Sequence, residues 1–225
     1  MDNISLYEDI KARTGGEIYL GVVGPVRTGK STFIRRFMDL CVIPSILDPN
    51  EKKRIIDELP QAGVGKTVMT TEPKFIPKTG IEIPLSNNVK AKFRLIDCVG
   101  YIVDSAQGVY EDDKERLVKT PWFDENIPFS KAAQTGTEKV IRDHSTIGIV
   151  MTTDGSIGEF TRDDYISAEE KAIMELKKIK KPFIVIVNST FPASDFTRKI
   201  ANEISEKYEV TALPMDCENL NKEDV

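Results

Sequence analysis

The residues with the clearest chemistry are those of a glycine-rich loop, GPVRTGKS, at residues 24–31. It matches the pattern GxxxxGK[ST], in which backbone N–H groups surround a phosphate. Gly24 and Gly29 let the backbone wrap closely around the anion. Lys30 is expected to reach the β- and γ-phosphates, and the Ser31 hydroxyl to bind Mg²⁺. The sequence therefore predicts a nucleotide-phosphate site, to which we assign three further residues: Arg27, Thr28 and Thr32.

A candidate metal-side carboxylate follows an apolar segment, FRLID, and precedes a glycine three positions later. In phosphate-loop NTPases an aspartate at this place holds Mg²⁺, directly or through water. This assigns Asp97 to the metal and to catalysis, and Gly100 to a γ-phosphate contact through its N–H. The alternative is that Asp97 is simply the last residue of a strand.

Two threonines, Thr70 and Thr71, lie in the irregular stretch between these motifs. In the GTPase-like branch a threonine in this region closes on the metal and the γ-phosphate when triphosphate is bound. Either residue is placed for that role, and the sequence does not choose; Thr71 is also assigned to the metal. Alternatively, both threonines lead into a strand, which threonine favours.

The base of the nucleotide is expected near the end of the apolar run FIVIV, at residues 183–187. GTP-binding relatives end this strand in Asn-Lys-x-Asp, where the Asp carboxylate accepts hydrogen bonds from guanine. Here Asn188 is retained, but Ser189 and Phe191 replace the Lys and the Asp. An apolar ring cannot accept those bonds, so the sequence favours ATP over GTP. Asn188 is assigned to the nucleotide, with a plain turn residue as the alternative.

Two catalytic groups differ from the usual pattern. Tyr101 follows Gly100, where some relatives carry a water-positioning Gln, so hydrolysis is expected to be slow. Arg27 occupies a loop position where potassium-dependent relatives place an Asn. We hypothesise that its guanidinium stands in for the cation, as an arginine finger supplied by the same chain. The alternative is an Arg27 side chain that points to solvent.

The elements that must position these residues alternate between apolar β-type segments and helical segments, which indicates a mostly parallel sheet covered by helices. Strands are predicted at residues 18–23, 74–77, 81–85, 91–96, 146–151, 183–187 and 210–213, with a Lys-Thr-Gly turn between the second and third. Helices are predicted at residues 31–40, 50–58, 130–143, 168–178 and 195–208. Residues 101–129 interrupt the pattern, and we expect an interaction surface there. The carboxylate-rich stretch that begins at Asp154 and continues to Asp163 and Asp164 lacks the spacing of a calcium site and is expected to be a solvated loop. Residues 1–215 form the predicted domain, and residues 216–225 are expected to be a polar linker without core residues.

Composition narrows the class of protein. The 225 residues are 40% hydrophobic and 30% charged, which is typical of a globular chain. A net charge of −5 argues against nucleic acid as the partner. The first twenty residues are too acidic for a secretory signal, and no apolar run approaches the roughly 18 residues of a membrane span. The three cysteines have no metal-like spacing and are expected to be reduced thiols, which favours a cytoplasmic protein.

Longer stretches around these motifs, GKTVMTTEPKFIP, RLIDCVGY, HSTIGIVMTTDGSIGE and KPFIVIVNS among them, resemble the stage IV sporulation protein A family of endospore-forming Firmicutes. The resemblance covers nearly all of residues 7–215. It implies a three-layer α/β P-loop NTPase fold of the GTPase-like (TRAFAC) type, with a mostly parallel sheet and one antiparallel strand. It also supports the assignments of Lys30, Ser31, Asp97, Thr70 and Thr71.

The same resemblance implies a biological role. Family members are cytoskeletal ATPases that use ATP with Mg²⁺ to drive an irreversible self-polymerisation. They form the basement layer of the spore coat on the mother-cell side of the forespore, in the cytoplasm. A small amphipathic membrane peptide recruits them, so contact with the membrane surface is indirect. Family members are about twice as long, so the resemblance places this chain at their N-terminal part. Docking of the peptide and coat proteins is then expected in a C-terminal region outside this sequence.

Overall fold

The computed structural model describes residues 16–60, 73–86, 89–103, 106, 108–111 and 114–224. The strands are β1 (Glu17–Val23), β2 (Lys74–Ser86), β3 (Val89–Asp97), β4 (Tyr110–Glu111), β5 (Lys114–Glu115), β6 (Leu117–Thr120), β7 (Phe123–Pro128), β8 (Ile147–Thr153), β9 (Phe183–Asn188) and β10 (Ala212–Met215). The α-helices are α1 (Lys30–Phe37), α2 (Pro49–Glu58), α3 (Phe129–Lys139), α4 (Arg162–Lys178) and α5 (Asp195–Tyr208). Two α-helices continue as π-helical turns, α1 over Met38–Val42 and α3 over Val140–His144. A 3₁₀ turn, Ile43–Ser45, leads on towards α2.

Six strands form the central sheet, in the order β10–β9–β8–β1–β3–β2. β1 pairs in parallel with β3 and β8, β8 with β9, and β9 with β10. β2 pairs with β3 in the antiparallel sense. Because the parallel strands share one direction, the loops after β1, β3, β8 and β9 meet at one edge of the sheet, where ligands bind in open α/β sheets.

Each face of the sheet is covered by its own hydrophobic cluster. One contains Val23, Ile96 and Val187 with residues of α3, α4 and α5. The other contains Val22, Leu95 and residues of α1 and α2. Val22 and Val23 are adjacent yet both buried, since successive side chains of a strand point to opposite faces. The predicted three-layer fold with one antiparallel strand is confirmed.

The prediction of two strands around a turn at residues 78–80 is wrong, because β2 runs without reversal over both. Ile76 pairs with Leu95 and Ile81 with Phe93, so six residues of β2 span three of β3. The residues expected to form a turn instead form a bulge in an edge strand, where Pro77 does not need to donate a ladder hydrogen bond. Glu58 at the end of α2 accepts a hydrogen bond from the Lys78 backbone N–H at 2.8 Å.

Helix boundaries follow capping chemistry. The prediction of α5 is confirmed at both ends, and Ser194 caps it by accepting a hydrogen bond from the Thr197 N–H. α4 begins six residues earlier than predicted, because Thr161 and Asp164 form a capping box there. The last strand, β10, lies two residues later than predicted.

The segment expected to be an interaction surface forms two small antiparallel sheets, β4–β5 and β6–β7. Tyr110 is exposed, whereas Trp122 and Phe123 are only half-buried beneath Lys139 and Lys131, 5.8 and 5.5 Å from the ring centroids. The interaction role of this segment stays a prediction.

Residues 216–224 contribute to the core, so the expectation that they carry none is wrong. Cys217 and Leu220 are buried in the cluster that also contains Met215. Their polar neighbours concealed this in the sequence, because burial here depends on packing against the sheet face rather than on local composition. Within the described residues, no helix is long and apolar enough to cross a bilayer.

Candidate nucleotide site

The glycine-rich loop joins the end of β1 to the start of α1, as the motif requires. Gly29 is the N-cap of α1 and has φ 85°, a left-handed conformation that favours glycine. A Cβ there would lie 2.3 Å from the Asn188 side-chain nitrogen. The loop and the first turn of α1, where N–H groups have no intrahelical acceptor, therefore form a close-fitting cradle suited to an anion.

Lys30 is almost completely buried, with 5% of its surface exposed. Its Nζ donates a hydrogen bond to the Pro25 carbonyl at 2.5 Å. Burial lowers the pKa of Lys30, with nearby Cys98 and Asp97 opposing the shift and Arg27 adding to it. A charged amine held in so dry a place gains strongly from an anion, because Coulomb energy rises as the dielectric falls.

Ser31 and Asp97 meet across the loop, although 66 residues separate them. Ser31 Oγ donates to Asp97 Oδ2 at 2.9 Å. Asp97 Oδ1 is buried and has no hydrogen-bond partner among the described residues. Burial raises the pKa of Asp97, and the Ser31 bond and the charge of Lys30 oppose this shift.

This pair fits a hard divalent cation. A hydroxyl and a carboxylate are the oxygen donors that Mg²⁺ prefers, usually together with phosphate oxygens and water. The unpartnered Oδ1 gives such a cation a second carboxylate oxygen without breaking an existing bond. Among the described residues, Ser31 and Asp97 are the pair whose oxygens would hold such a cation. Thr71, also assigned to the metal, lies outside those residues.

Gly100 and Tyr101 are bound directly to the loop. Tyr101 N donates to Gly24 O at 3.0 Å, and Val26 N donates to Tyr101 O at 2.9 Å. Gly100 has φ 96°, and a Cβ there would lie 2.1 Å from Gly24 O and 2.7 Å from Lys30 Nζ. Only glycine fits so close an approach, which places its backbone against Lys30.

Tyr101 itself is turned into the core. It is 4% exposed, and its hydroxyl has no hydrogen-bond partner among the described residues. Burial raises its pKa far above the ordinary value for tyrosine. A phenol in this position anchors the loop after β3 and is not available to orient a water molecule at the phosphate.

Asn188 connects three segments that are distant in sequence. Its Nδ2 donates to Thr28 O at 3.1 Å, and its Oδ1 accepts from Cys217 N at 3.0 Å. The side chain is 5% exposed. Asn188 is therefore more than a turn residue at the end of a strand, because its side chain holds the phosphate loop against the segments that follow β9 and β10.

A polar network at the end of β8 and β9 was missed by the sequence analysis. Thr197 Oγ1 donates to Asp154 Oδ2 at 2.6 Å and lies 3.2 Å from Ser189 Oγ. Ser189 Oγ also accepts from Phe191 N at 2.9 Å and lies 3.3 Å from Ser156 Oγ. The network ties the loop after β8 to the loop that carries the altered base motif.

The loop after β8 is largely solvated as expected, with Ser156, Gly158 and Glu159 exposed, but its first residue, Asp154, is only 6% exposed. Burial alone would raise its pKa, but hydrogen bonds from Ser156, Ser189 and Thr197 outweigh it and hold the pKa below the ordinary value. One local signal was available: the Ser156 N–H donates to Asp154 Oδ1, the turn that an Asp makes with the backbone two residues on. The hydrogen-bond partners of Asp154 in α5 and just after β9 are distant in sequence, so no local pattern predicts them.

The other assigned residues are placed as follows. Phe191 is 70% exposed at the end of the base motif. Arg27 is half-buried and has a positive φ of 63°, and Thr28 is buried with its hydroxyl donating to Pro25 O at 3.0 Å. Thr32 is half-buried in the first turn of α1. Thr70 and Thr71 lie outside the described residues.

Comparison with known proteins gives a consistent result. The family model for the ATPase domain of stage IV sporulation protein A matches residues 1–225. The chain is 54% identical over 223 residues to stage IV sporulation protein A of Clostridioides difficile, and 50% identical over 225 residues to that of Bacillus subtilis. These matches cover 99% and 100% of the chain but 45% and 46% of the relatives, so the chain spans slightly less than half of their length.

Among solved structures, the chain is similar to Era from Aquifex aeolicus bound to GDP·AlF₄⁻, with a TM-score of 0.53 and 17% identity. The match covers 93% of this chain and 54% of that one. A likeness at this identity shows the fold.

Proposed function

The chain belongs to the family of stage IV sporulation protein A ATPase domains, and on that premise we propose that it binds Mg·ATP and hydrolyses it slowly. The observation that carries the proposal is the joining of a buried Lys30 to a Ser31–Asp97 pair around one phosphate loop. Membership of the family supports nucleotide hydrolysis by a sporulation protein. We propose in addition that the nucleotide is ATP and that the residues of the loop act as follows.

The proposed mechanism assigns each group one task. Loop N–H groups at the start of α1 bind the phosphates, and Lys30 stabilises the charge that develops on the transferred phosphoryl group. Ser31 and Asp97 would hold Mg²⁺, which, when bound, neutralises phosphate charge. Gly100 presents its backbone beside Lys30, within reach of the same phosphate. Water is the nucleophile.

The preference for ATP is argued from Phe191. Its ring is largely exposed where relatives that read guanine have a carboxylate. A site without that acceptor leaves guanine N1–H and N2–H without a hydrogen-bond partner, so GTP loses the contacts by which such sites bind it more tightly than ATP. Asn188 is committed to Thr28 and Cys217, so its amide does not replace the missing acceptor.

A second candidate is a scaffold that binds nucleotide without hydrolysing it. The burial of Tyr101 favours this alternative, because the residue after Gly100 cannot orient the attacking water.

Arg27, in the loop and near enough to Lys30 to lower its pKa, is the group that we propose supplies transition-state charge instead.

We further propose that ATP hydrolysis drives self-assembly into a static cytoskeletal layer on the forespore surface, the basement of the spore coat. In this proposal Thr70 and Thr71 sense the γ-phosphate, and its loss rearranges their segment and the assembly surfaces. The protein would act in the mother-cell cytoplasm at the outer forespore membrane. The amphipathic membrane peptide and coat proteins would bind through the C-terminal region of the longer family members.

The test is phosphate release by the purified chain with Mg·ATP and with Mg·GTP. Lys30→Ala is the inactive variant, and Lys53→Ala, an exposed lysine of α2, is the matched control. We expect turnover with ATP, little with GTP, none in Lys30→Ala, and wild-type turnover in Lys53→Ala.

The other outcomes are equally informative. Comparable GTP turnover would contradict the role given to Phe191. Tight binding of ATP without turnover would favour the scaffold. Turnover that persists in Lys30→Ala would show that hydrolysis takes place elsewhere or comes from a contaminant.

A further inference from the structure

An open cleft of about 740 Å³ lies at the amino ends of β1, β8 and β9, at the opposite edge of the sheet from the phosphate loop. Its lining is aromatic and basic. The side chains that define it are Tyr19, Phe75, Arg94, His144, Lys180 and Lys181. The nucleotide site uses none of them.

The rings of the cleft are held in a fixed arrangement. Phe75 makes edge contacts with Tyr19 at 6.3 Å and with His144 at 5.5 Å between centroids. The Arg94 guanidinium lies 5.5 Å from the Tyr19 ring centroid. Glu17 fixes both, since it accepts a hydrogen bond from the Tyr19 hydroxyl and pairs with Arg94 at 3.5 Å. The cleft is therefore preorganised to receive an aromatic side chain.

The charge of the cleft is positive. Lys181 is locked in place, donating to the carbonyls of Ile141 and Ser145 at 2.5 Å each. Lys180 is exposed at the rim, and no ion pair of its side chain occurs among the described residues. Asp143 also lines the cleft but is paired with Lys139 at 3.6 Å. A ligand with an aromatic ring beside a carboxylate would match this surface.

The opposite end of β9 carries such a combination. Phe191 and Phe196 are 70% and 60% exposed, and they flank a loop that enters α5. Asp195, which is exposed, is the one charged residue at positions 189–196. Lys180 and Lys181 precede β9 and this loop follows it, so a six-residue strand of about 20 Å separates the two surfaces.

We propose that copies of this chain stack head to tail, with the loop around Asp195 and its two phenylalanines seated in the cleft of the next copy. The contact joins different surfaces at opposite ends of the same strands, so it is heterologous. Repeated along the strand direction without a closing rotation, such a contact gives an open filament. The inference rests on the self-assembly proposed above and specifies its partner, a second copy, and its interface.

The position of the loop connects this contact to the nucleotide. Asn188, which ends β9, is bonded to the phosphate loop, and the network of Ser189 and Thr197 continues into the proposed contact. Two phenylalanine rings bury about 150–250 Å² each, below the roughly 1,000 Å² of a stable pair. Each contact is thus weak by itself, and cross-linking is the suitable measurement.

The experiment uses cysteine pairs in a Cys41→Ser background, because Cys41 is the partly exposed native cysteine and the other two are buried. One doubly substituted chain carries Lys178→Cys and Ala193→Cys, at exposed positions beside the cleft and in the loop that leave Lys180 and both phenylalanines in place. The matched control carries Lys53→Cys and Ala193→Cys. Both are treated with a short bis-maleimide in Mg·ATP, and sedimentation and phosphate release are measured on the wild type and on both variants.

We expect a ladder of oligomers from the first chain and, from the control, no more than a dimer band. Added to the first doubly substituted chain, Lys180→Glu should abolish the ladder. As a single substitution it should abolish sedimentation as multimers, and phosphate release should be unchanged in both chains. If the wild type sediments as multimers but the ladder is absent or equal in the control, the interface is wrong and the proposed self-assembly stands. If the wild type shows no self-association while it hydrolyses ATP, self-assembly by this chain is overturned, and this inference with it.

Discussion

Replacing Asn188 by Ala tests whether this side chain holds the nucleotide site together. In the structure its amide satisfies two buried backbone groups, the Thr28 carbonyl at 3.1 Å and the Cys217 N–H at 3.0 Å. Alanine reaches neither. Both groups would remain buried without a partner, since Thr28 and Cys217 are fully buried.

The cost follows from that arrangement. A buried backbone group left without its partner costs about 1–3 kcal/mol, so two of them give about 2–6 kcal/mol of the free energy of unfolding. We expect about 3 kcal/mol, because some relaxation at Gly29 and at the chain after β10 is available. For a domain of this size the melting temperature should fall by about 6–12 °C.

The assay is urea unfolding, which reports a lower midpoint with an unchanged slope if native stability alone has changed. Asn219→Ala is the matched control. Among the described residues, this exposed side chain bonds to Asp216 alone, so its removal should cost under about 0.5 kcal/mol. ATP affinity should weaken in Asn188→Ala alone. A loss under about 1 kcal/mol at unchanged slope would refute the bracing role.

Three further predictions follow from the site and its supports. Asp154→Asn should reduce the dependence of the unfolding free energy on pH in acid. The folded-state pKa of Asp154 lies below its unfolded value, so its ionised form stabilises the fold above about pH 4, and this stabilisation is lost on further acidification. Unfolding free energies measured from pH 7 to pH 3 check this, and identical profiles for the wild type and the variant would contradict it. Glu169→Ala should lower the free energy of unfolding in urea by about 3–5 kcal/mol, because it removes the carboxylate that binds the largely buried Arg162 at 2.6 Å. The control Glu203→Ala breaks an exposed ion pair and should cost under about 0.5 kcal/mol. Equal losses in both variants would argue against a stabilising role for the buried pair. Arg27→Ala should lower phosphate release at least about tenfold, with equal wild-type rates in KCl and NaCl; unchanged turnover in the variant, or a wild-type requirement for K⁺, would rule out the arginine finger.

Several features of the fold were within reach of the sequence because their causes are local. The apolar run of β1 and the loop that follows it fall within fifteen residues, and Ser194 fixes the start of α5 by a bond to Thr197. Asp97 at the end of an apolar strand is also a local pattern. In such segments neighbouring residues set the backbone, so their order along the chain predicts the structure.

Other expectations failed where tertiary contacts decided the outcome. The Lys-Thr-Gly sequence predicts a turn, but pairing with β3 keeps β2 extended through it. Cys217 and Leu220 sit in a polar segment, yet the sheet face above them buries both. In each case the energy comes from a surface that the local sequence does not contain.

By itself, the sequence determined the phosphate loop, the alternation of strands and helices, and the altered base motif, because each is a contiguous pattern. Only the tertiary structure decided what those residues touch. Asn188 bonds Thr28 across 160 positions, Thr197 bonds Asp154 across 43, and Tyr101 pairs with the phosphate loop while its ring enters the core. The physical reason is that hydrogen bonds and burial depend on distance in space, which the chain acquires only when its sheet has formed.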